Sequence, residues 1–114
     1  MCYTARDLAA SLSSVDESSF VRVVADWLVH GTVSGDAPPL TGSVIRDTLV
    51  AAAVAHLARL RDVPAPRWTH EASRSLPQFW HPGRDAFFAY ALANTPAEFA
   101  ARGILVERGS LASV

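Results

Sequence analysis

The segment Leu49-Val-Ala-Ala-Ala-Val-Ala-His-Leu-Ala58 holds one polar side chain, His56, among ten residues, and it constrains the fold more than any other stretch. It is about half the length needed to cross a bilayer, and too apolar to lie against water on any side. It therefore reads as the middle of a helix that other segments must surround. Arg46 and Asp47 on one side, and Arg59, Arg61 and Asp62 on the other, mark the wet ends of a helix over residues 43–62. Ala51, Ala52, Ala53, Ala55 and Ala58 leave room for neighbouring helices to approach closely on several sides.

A chain of 114 residues can bury such a helix in one domain without a metal or a disulfide. Its apolar half is carried by Ala, Leu and Val more than by the residues that favour strands. Residues 1–114 are thus expected to form a single all-α domain. The expected architecture is a compact bundle of about five helices around the central one, with an irregular aromatic loop and a short extended C-terminal tail.

The covering pieces have their own signals. Thr4 with Asp7 forms a capping box for a short helix through about Leu12, and Ser14 with Glu17 repeats that start signal for a longer helix ending before Gly31. Phe20, Val23, Val24, Trp27 and Leu28 share one face of it, which should pack on the central helix. The stretch from Gly31 to Gly42 holds Ser-Gly-Asp and Pro-Pro and should run over the surface until Thr41 or Ser43 caps the central helix. Val63-Pro64-Ala65-Pro66 stops that helix.

Beyond Trp68 the pattern loosens. Thr69 is expected to cap one or two turns, and residues 75–83 are too interrupted for regular structure, with Trp68, Leu76, Phe79 and Trp80 pinning them to the core. Arg84 to Ala93 returns to helical spacing. Thr95-Pro96-Ala97-Glu98 reads as a capping box with Pro at the first helical position, and Gly103 as the left-handed residue that closes the helix. Ile104-Leu105-Val106 fits a short strand or an extended tail packed on the core.

Charge and motifs narrow the function classes. Net charge is −1, every basic residue is Arg, and no run of one sign occurs, so neither direct nucleic-acid binding nor a polybasic membrane contact is expected. A lone Cys2 and a start without an export-type apolar run fit a cytoplasmic setting. His56 reads as a core histidine satisfied by one hydrogen bond. His70, Glu71 and His81 lack the spacing that places two ligands on one helical face, so no metal or other cofactor is expected. No Gly-x-Ser-x-Gly elbow or phosphate loop occurs, and no catalytic residue is assigned, so an enzyme is not the expected class. The interleaved Arg67, Trp68, Arg74, Phe79, Trp80 and Arg84 are the candidate partner-binding residues, because Trp and Arg dominate binding hot spots. The competing reading makes these rings core and these Arg side chains solvated cover. The richness in Ala, Leu and Val also fits a homodimer.

Pro38-Pro39-Leu40-Thr41-Gly42, the Asp47-Thr48-Leu49-Val50-Ala51-Ala52 helix with His56-Leu57-Ala58, and Val63-Pro64-Ala65-Pro66-Arg67-Trp68 form one set of marks. Phe79-Trp80-His81-Pro82, Ala91-Leu92-Ala93 and Thr95-Pro96-Ala97-Glu98-Phe99-Ala100-Ala101-Arg102-Gly103-Ile104 extend it. Over residues 38–106 the chain resembles small, mostly actinobacterial, antitoxin-like or regulator-associated helical proteins of two-gene toxin–antitoxin-type modules. Some carry a helix-turn-helix domain ahead of this segment, and some are encoded beside a nucleotidyltransferase-like protein. The resemblance implies a protein-binding antitoxin-like or accessory subunit that binds and neutralises a cognate toxin-like enzyme. A transcriptional regulator or ligand-sensing domain is the alternative. Residues 1–37 lack the second amphipathic helix and tight turn of a DNA-reading unit.

Overall fold

The computed structural model describes residues 4–33, 35–76, 80 and 95–105, and among them there are four α-helices. These are α1 (Ala5–Ser13), α2 (Phe20–His30), α3 (Val44–Leu60) and α4 (Ala97–Ala100). Short 3-10 turns at Glu17–Ser19, Arg67–His70 and Ala72–Arg74 join them. The helix expected over residues 84–93, most of the aromatic loop and Val106 lie outside the described residues.

The α3 helix is the axis. Every residue from Asp47 to Ala58 is buried: residues 49–58 because a helix apolar on all sides has no face it can leave in water, and Asp47, expected at a wet end, because Thr41 satisfies its carboxylate. It touches α1, α2, α4 and both of the 3-10 turns that follow it. Leu49, Val50, Val54 and Leu57 are almost wholly enclosed, and each contributes on the order of 2 kcal/mol relative to an exposed side chain. The radius of gyration, 12.8 Å, is close to the roughly 13 Å of a folded body of about this length.

Caps set the ends of the outer helices. At α1 the Asp7 amide donates to Thr4 Oγ1 at 3.3 Å, and the Thr4 amide donates to Asp7 Oδ2 at 2.9 Å, so the expected capping box is present. The other end of α1 is closed from outside. Arg46 at the start of α3 donates Nε to Leu12 O at 2.9 Å and Nη2 to Val15 O at 3.4 Å, while its guanidinium lies 5.3 Å from the Phe20 ring centroid. A cation at a helix C-terminus meets both the orphan carbonyls and the negative end of the dipole.

Ser14 does not start α2. It ends α1, with its amide and its hydroxyl both directed to Ser11 O, and Glu17–Ser19 forms a 3-10 turn before α2 begins at Phe20 without a side-chain cap. A hydroxyl engaged with the preceding helix cannot also serve the next one. The expected inward face of α2 is present, with Phe20, Val24 and Trp27 buried and Val23 and Leu28 packed beside them. Trp27 Nε1 donates to Thr4 O at 3.0 Å, which joins α2 to the start of α1.

Of the two candidate caps for α3, Ser43 supplies the hydroxyl, accepting from the Arg46 amide at 3.4 Å. Thr41 instead gives its amide and hydroxyl to Asp47 Oδ1, both at 2.9 Å, and so satisfies a buried carboxylate. At the far end Val63 donates to Ala58 O and Asp62 to Arg59 O, with Asp62 at φ 55°. This is a Schellman closure built on a non-glycine residue.

The Thr95-to-Glu98 capping box does not take its expected form. Pro96 is the cap residue and not the first helical residue, α4 starts at Ala97, and the Glu98 carboxylate is drawn to α3. Thr69 does not cap a turn; its hydroxyl donates to Pro66 O at 2.7 Å. Gly103 does close α4 as expected, at φ 88°, with its amide to Ala100 O and the Ile104 amide to Phe99 O. The chain then runs extended. Leu76 donates to Arg102 O, Trp80 to Gly103 O and Leu105 to Trp80 O, the last two forming a parallel bridge between Trp80 and Ile104.

Candidate functional site

The interleaved aromatic and arginine residues divide between interior and surface. Arg67 is exposed, whereas Trp68 and Arg74 are buried, with the Arg74 guanidinium 4.8 Å from the Trp68 ring centroid and Nη2 donating to Pro38 O at 2.6 Å. Trp80 is half-buried, its ring centroid 6.3 Å from that of Phe20. Phe79 and Arg84 lie outside the described residues. Trp68 and Arg74 are thus packing groups, and Arg74 is not the solvated cover that the competing reading assumed. Arg74 Nε and Nη1 and Thr48 Oγ1 are enclosed without a hydrogen-bond partner among the described residues.

The same segment separates two depressions. Arg67, Trp68 and Glu71 border an open one of about 390 Å³ with Asp36. His70, on the other side, borders a groove of about 550 Å³ between the end of α3, the Val63–Ala65 turn and α4. Ala55, Ala58, Val63 and Pro64 supply its apolar wall, and Arg59, Asp62, Glu98 and Arg102 its charges. Val63 is also one of the exposed large apolar side chains, with Val29, Leu40, Val44 and Leu60.

Glu98 is the hub of the groove. Oε2 lies 3.2 Å from His56 Nδ1, and Arg59 Nε donates to Oε1. His56 and Arg59 are one turn apart on α3, so both reach the same carboxylate from one helical face. Phe99 covers the His56 ring edge-on at 5.6 Å. Burial alone would push the Glu98 carboxyl up, but its own amide, His56 and Arg59 donate to it and Arg59 adds its charge, which together hold it below the ordinary value. An acceptor for Nδ1 is also what a buried imidazole at position 56 requires.

Arg102 lies on the other side of Glu98. Its Nε donates to Thr69 O at 2.9 Å and its Nη1 to Glu98 O at 2.7 Å, and Nη2 is 3.4 Å from His70 Nδ1. Burial pulls this guanidinium below its usual value, and the charge of Glu98 opposes that shift. These bonds tie the 3-10 turn at Arg67–His70 to α4, so the groove wall is fixed on both sides.

Sequence reasoning missed Arg59, Glu98 and Arg102. The His56–Arg59 spacing is a readable signal for two polar groups on one face, but nothing local points to an acid 39 and 42 residues away. Among the described residues no three His, Cys, Asp or Glu side chains come together as metal ligands, and no helix is long and apolar enough to cross a membrane. No family model, curated protein or solved structure matches this chain.

Proposed function

We infer that this chain is a protein-binding subunit of the antitoxin-like kind, which docks on a toxin-like enzyme encoded beside it and silences that enzyme. The observation that carries this reading is the groove at the α3–α4 corner, lined by both apolar and charged side chains, of which Glu98 and Arg102 are held by hydrogen bonds. Such a surface supports specific contact: apolar area supplies binding energy, and charges held in position select the partner. Both Glu98 oxygens are engaged by α3, so the carboxylate serves to hold the groove together.

Co-expression with the product of the adjacent gene tests the proposal. The expected result is a complex that survives gel filtration at micromolar concentration and an enzyme inactive while bound. A neighbour that stays separate and keeps its activity refutes it. A groove of this size also falls within the range of small-ligand pockets, which favours a ligand-sensing regulatory domain as the second reading. That reading requires salt-sensitive retention of the module's own promoter in a mobility shift.

A further inference from the structure

Arg102 is 6 % exposed, yet each of its hydrogen bonds to a described residue goes to an uncharged acceptor, two carbonyls and one imidazole nitrogen. A guanidinium has more N–H groups than these bonds use, and it borders the open groove. Because a guanidinium only donates, His70 Nδ1 must be the acceptor, which places the ring hydrogen of neutral His70 on Nε2. Arg59 binds Glu98 through Nε, and its side chain, 55 % exposed, also lines the groove. This end of the groove therefore offers N–H donors from three side chains.

Several of the nearby acceptors are already engaged. Glu98 has both oxygens engaged with α3, and the carbonyls of Ala58 and Arg59 at the end of α3 are closed by the amides of Val63 and Asp62. Asp62 is exposed at the rim, where water and salt screen its charge. Val63 and Pro64, both exposed, line the same groove as the donors. A groove of about 550 Å³ is far larger than a simple ion needs.

We propose that this groove binds the C-terminal carboxylate of a partner polypeptide, with Arg59, Arg102 and His70 holding the carboxylate and the exposed Val63 and Pro64 packing against the last side chain. The assignment rests on the protein-binding reading above and names the chemistry of the partner segment. A chain end brings two oxygens and an aliphatic side chain together on one residue, which is the pairing of donors and apolar wall found here. Charge-assisted bonds from a planar guanidinium to a carboxylate are the strong ones in such a contact.

The test is a titration of the full ¹⁵N-labelled chain with N-acetyl-alanyl-leucine as the free acid, with its C-terminal amide, and with inorganic phosphate, followed by NMR. The acid should give saturable shifts at the Nε–H groups of Arg59 and Arg102 and at the amides of Ala58 and Val63. The amide should bind at least about tenfold more weakly, because it lacks the charge the arginines meet. Arg59→Gln and His70→Ala, both at exposed positions, should each weaken the acid several-fold at a temperature where the amide spectrum shows the variant folded. Equal affinity for acid and amide overturns the proposal, as does a lack of saturable shifts with the acid. Displacement of the peptide by an equal concentration of phosphate likewise overturns it, since any anion would then suffice. If the peptide binds while the adjacent gene product does not, the antitoxin-like role fails and the carboxylate site stands. If that complex forms while neither variant affects it or the peptide, the carboxylate site fails and the role stands.

Discussion

His56 Nδ1 on α3 lies 3.2 Å from Glu98 Oε2 on α4, so one buried imidazole fixes the central helix to a residue 42 positions further along the chain. Arg59 reaches the other oxygen of the same carboxylate. The contact satisfies the lone polar group in the most apolar stretch of the sequence and builds one wall of the groove.

The pH dependence of this contact has a definite sign. The Glu98 carboxyl is held below the ordinary 4.5 in the folded chain, so its contribution is fully present above that pH and is lost as pH falls through the lowered folded value. Glu98→Gln removes the contribution at every pH. Urea unfolding should show the largest gap between wild type and Glu98→Gln near neutrality, closing as pH falls through the lowered folded value. A gap that persists in acid would contradict the assignment.

Gly31 has no room for a side chain. A Cβ there would lie 2.6 Å from Trp27 Cε2, and the indole is held in place by its bond to Thr4 O. Gly31→Ala should cost about 1–3 kcal/mol through that overlap, read as a lower urea midpoint at unchanged slope. A loss within about 0.5 kcal/mol would show that the indole can move aside.

Asp62 closes α3 in the left-handed region at φ 55°. Glycine adopts that conformation without the Cβ penalty, so Asp62→Gly should raise stability by about 0.5–1 kcal/mol. A fall in the thermal midpoint would mean that the Asp62 side chain stabilises this turn by more than the strain costs.

Arg46 caps α1 across 34 residues of sequence. Arg46→Met keeps the aliphatic stem over Phe20 but leaves the Leu12 and Val15 carbonyls without their donor. The expected cost is about 1–3 kcal/mol, with faster amide exchange in the last turn of α1 as its local signature. Unchanged exchange there would contradict the capping role.

What could be read from the sequence was what depends on neighbours in the chain. The Thr4–Asp7 box, the burial of residues 49–58 and the left-handed Gly103 all follow from local spacing, and all three are present, whereas Asp47, read as a wet end, is buried. Ser14 and Glu98 carried equally plain local signals and went elsewhere. Ser14 was taken by α1 itself, and Glu98 by two side chains on α3. Arg74 has a similar lesson: an arginine reads as surface until a tryptophan face and the Pro38 carbonyl draw it inside. Arg59, Glu98 and Arg102 become a site only once the chain folds, so no motif announces them.

Isothermal titration of the adjacent gene product into wild type, Arg59→Gln, Val63→Asp and the control Arg22→Gln, an exposed position on α2, addresses the docking groove most directly. Wild type and Arg22→Gln should bind alike, and each groove variant should lose at least about tenfold in affinity, about 1.4 kcal/mol. Equal binding by all four proteins, or no binding by wild type, would contradict the assignment of the α3–α4 groove as the partner site.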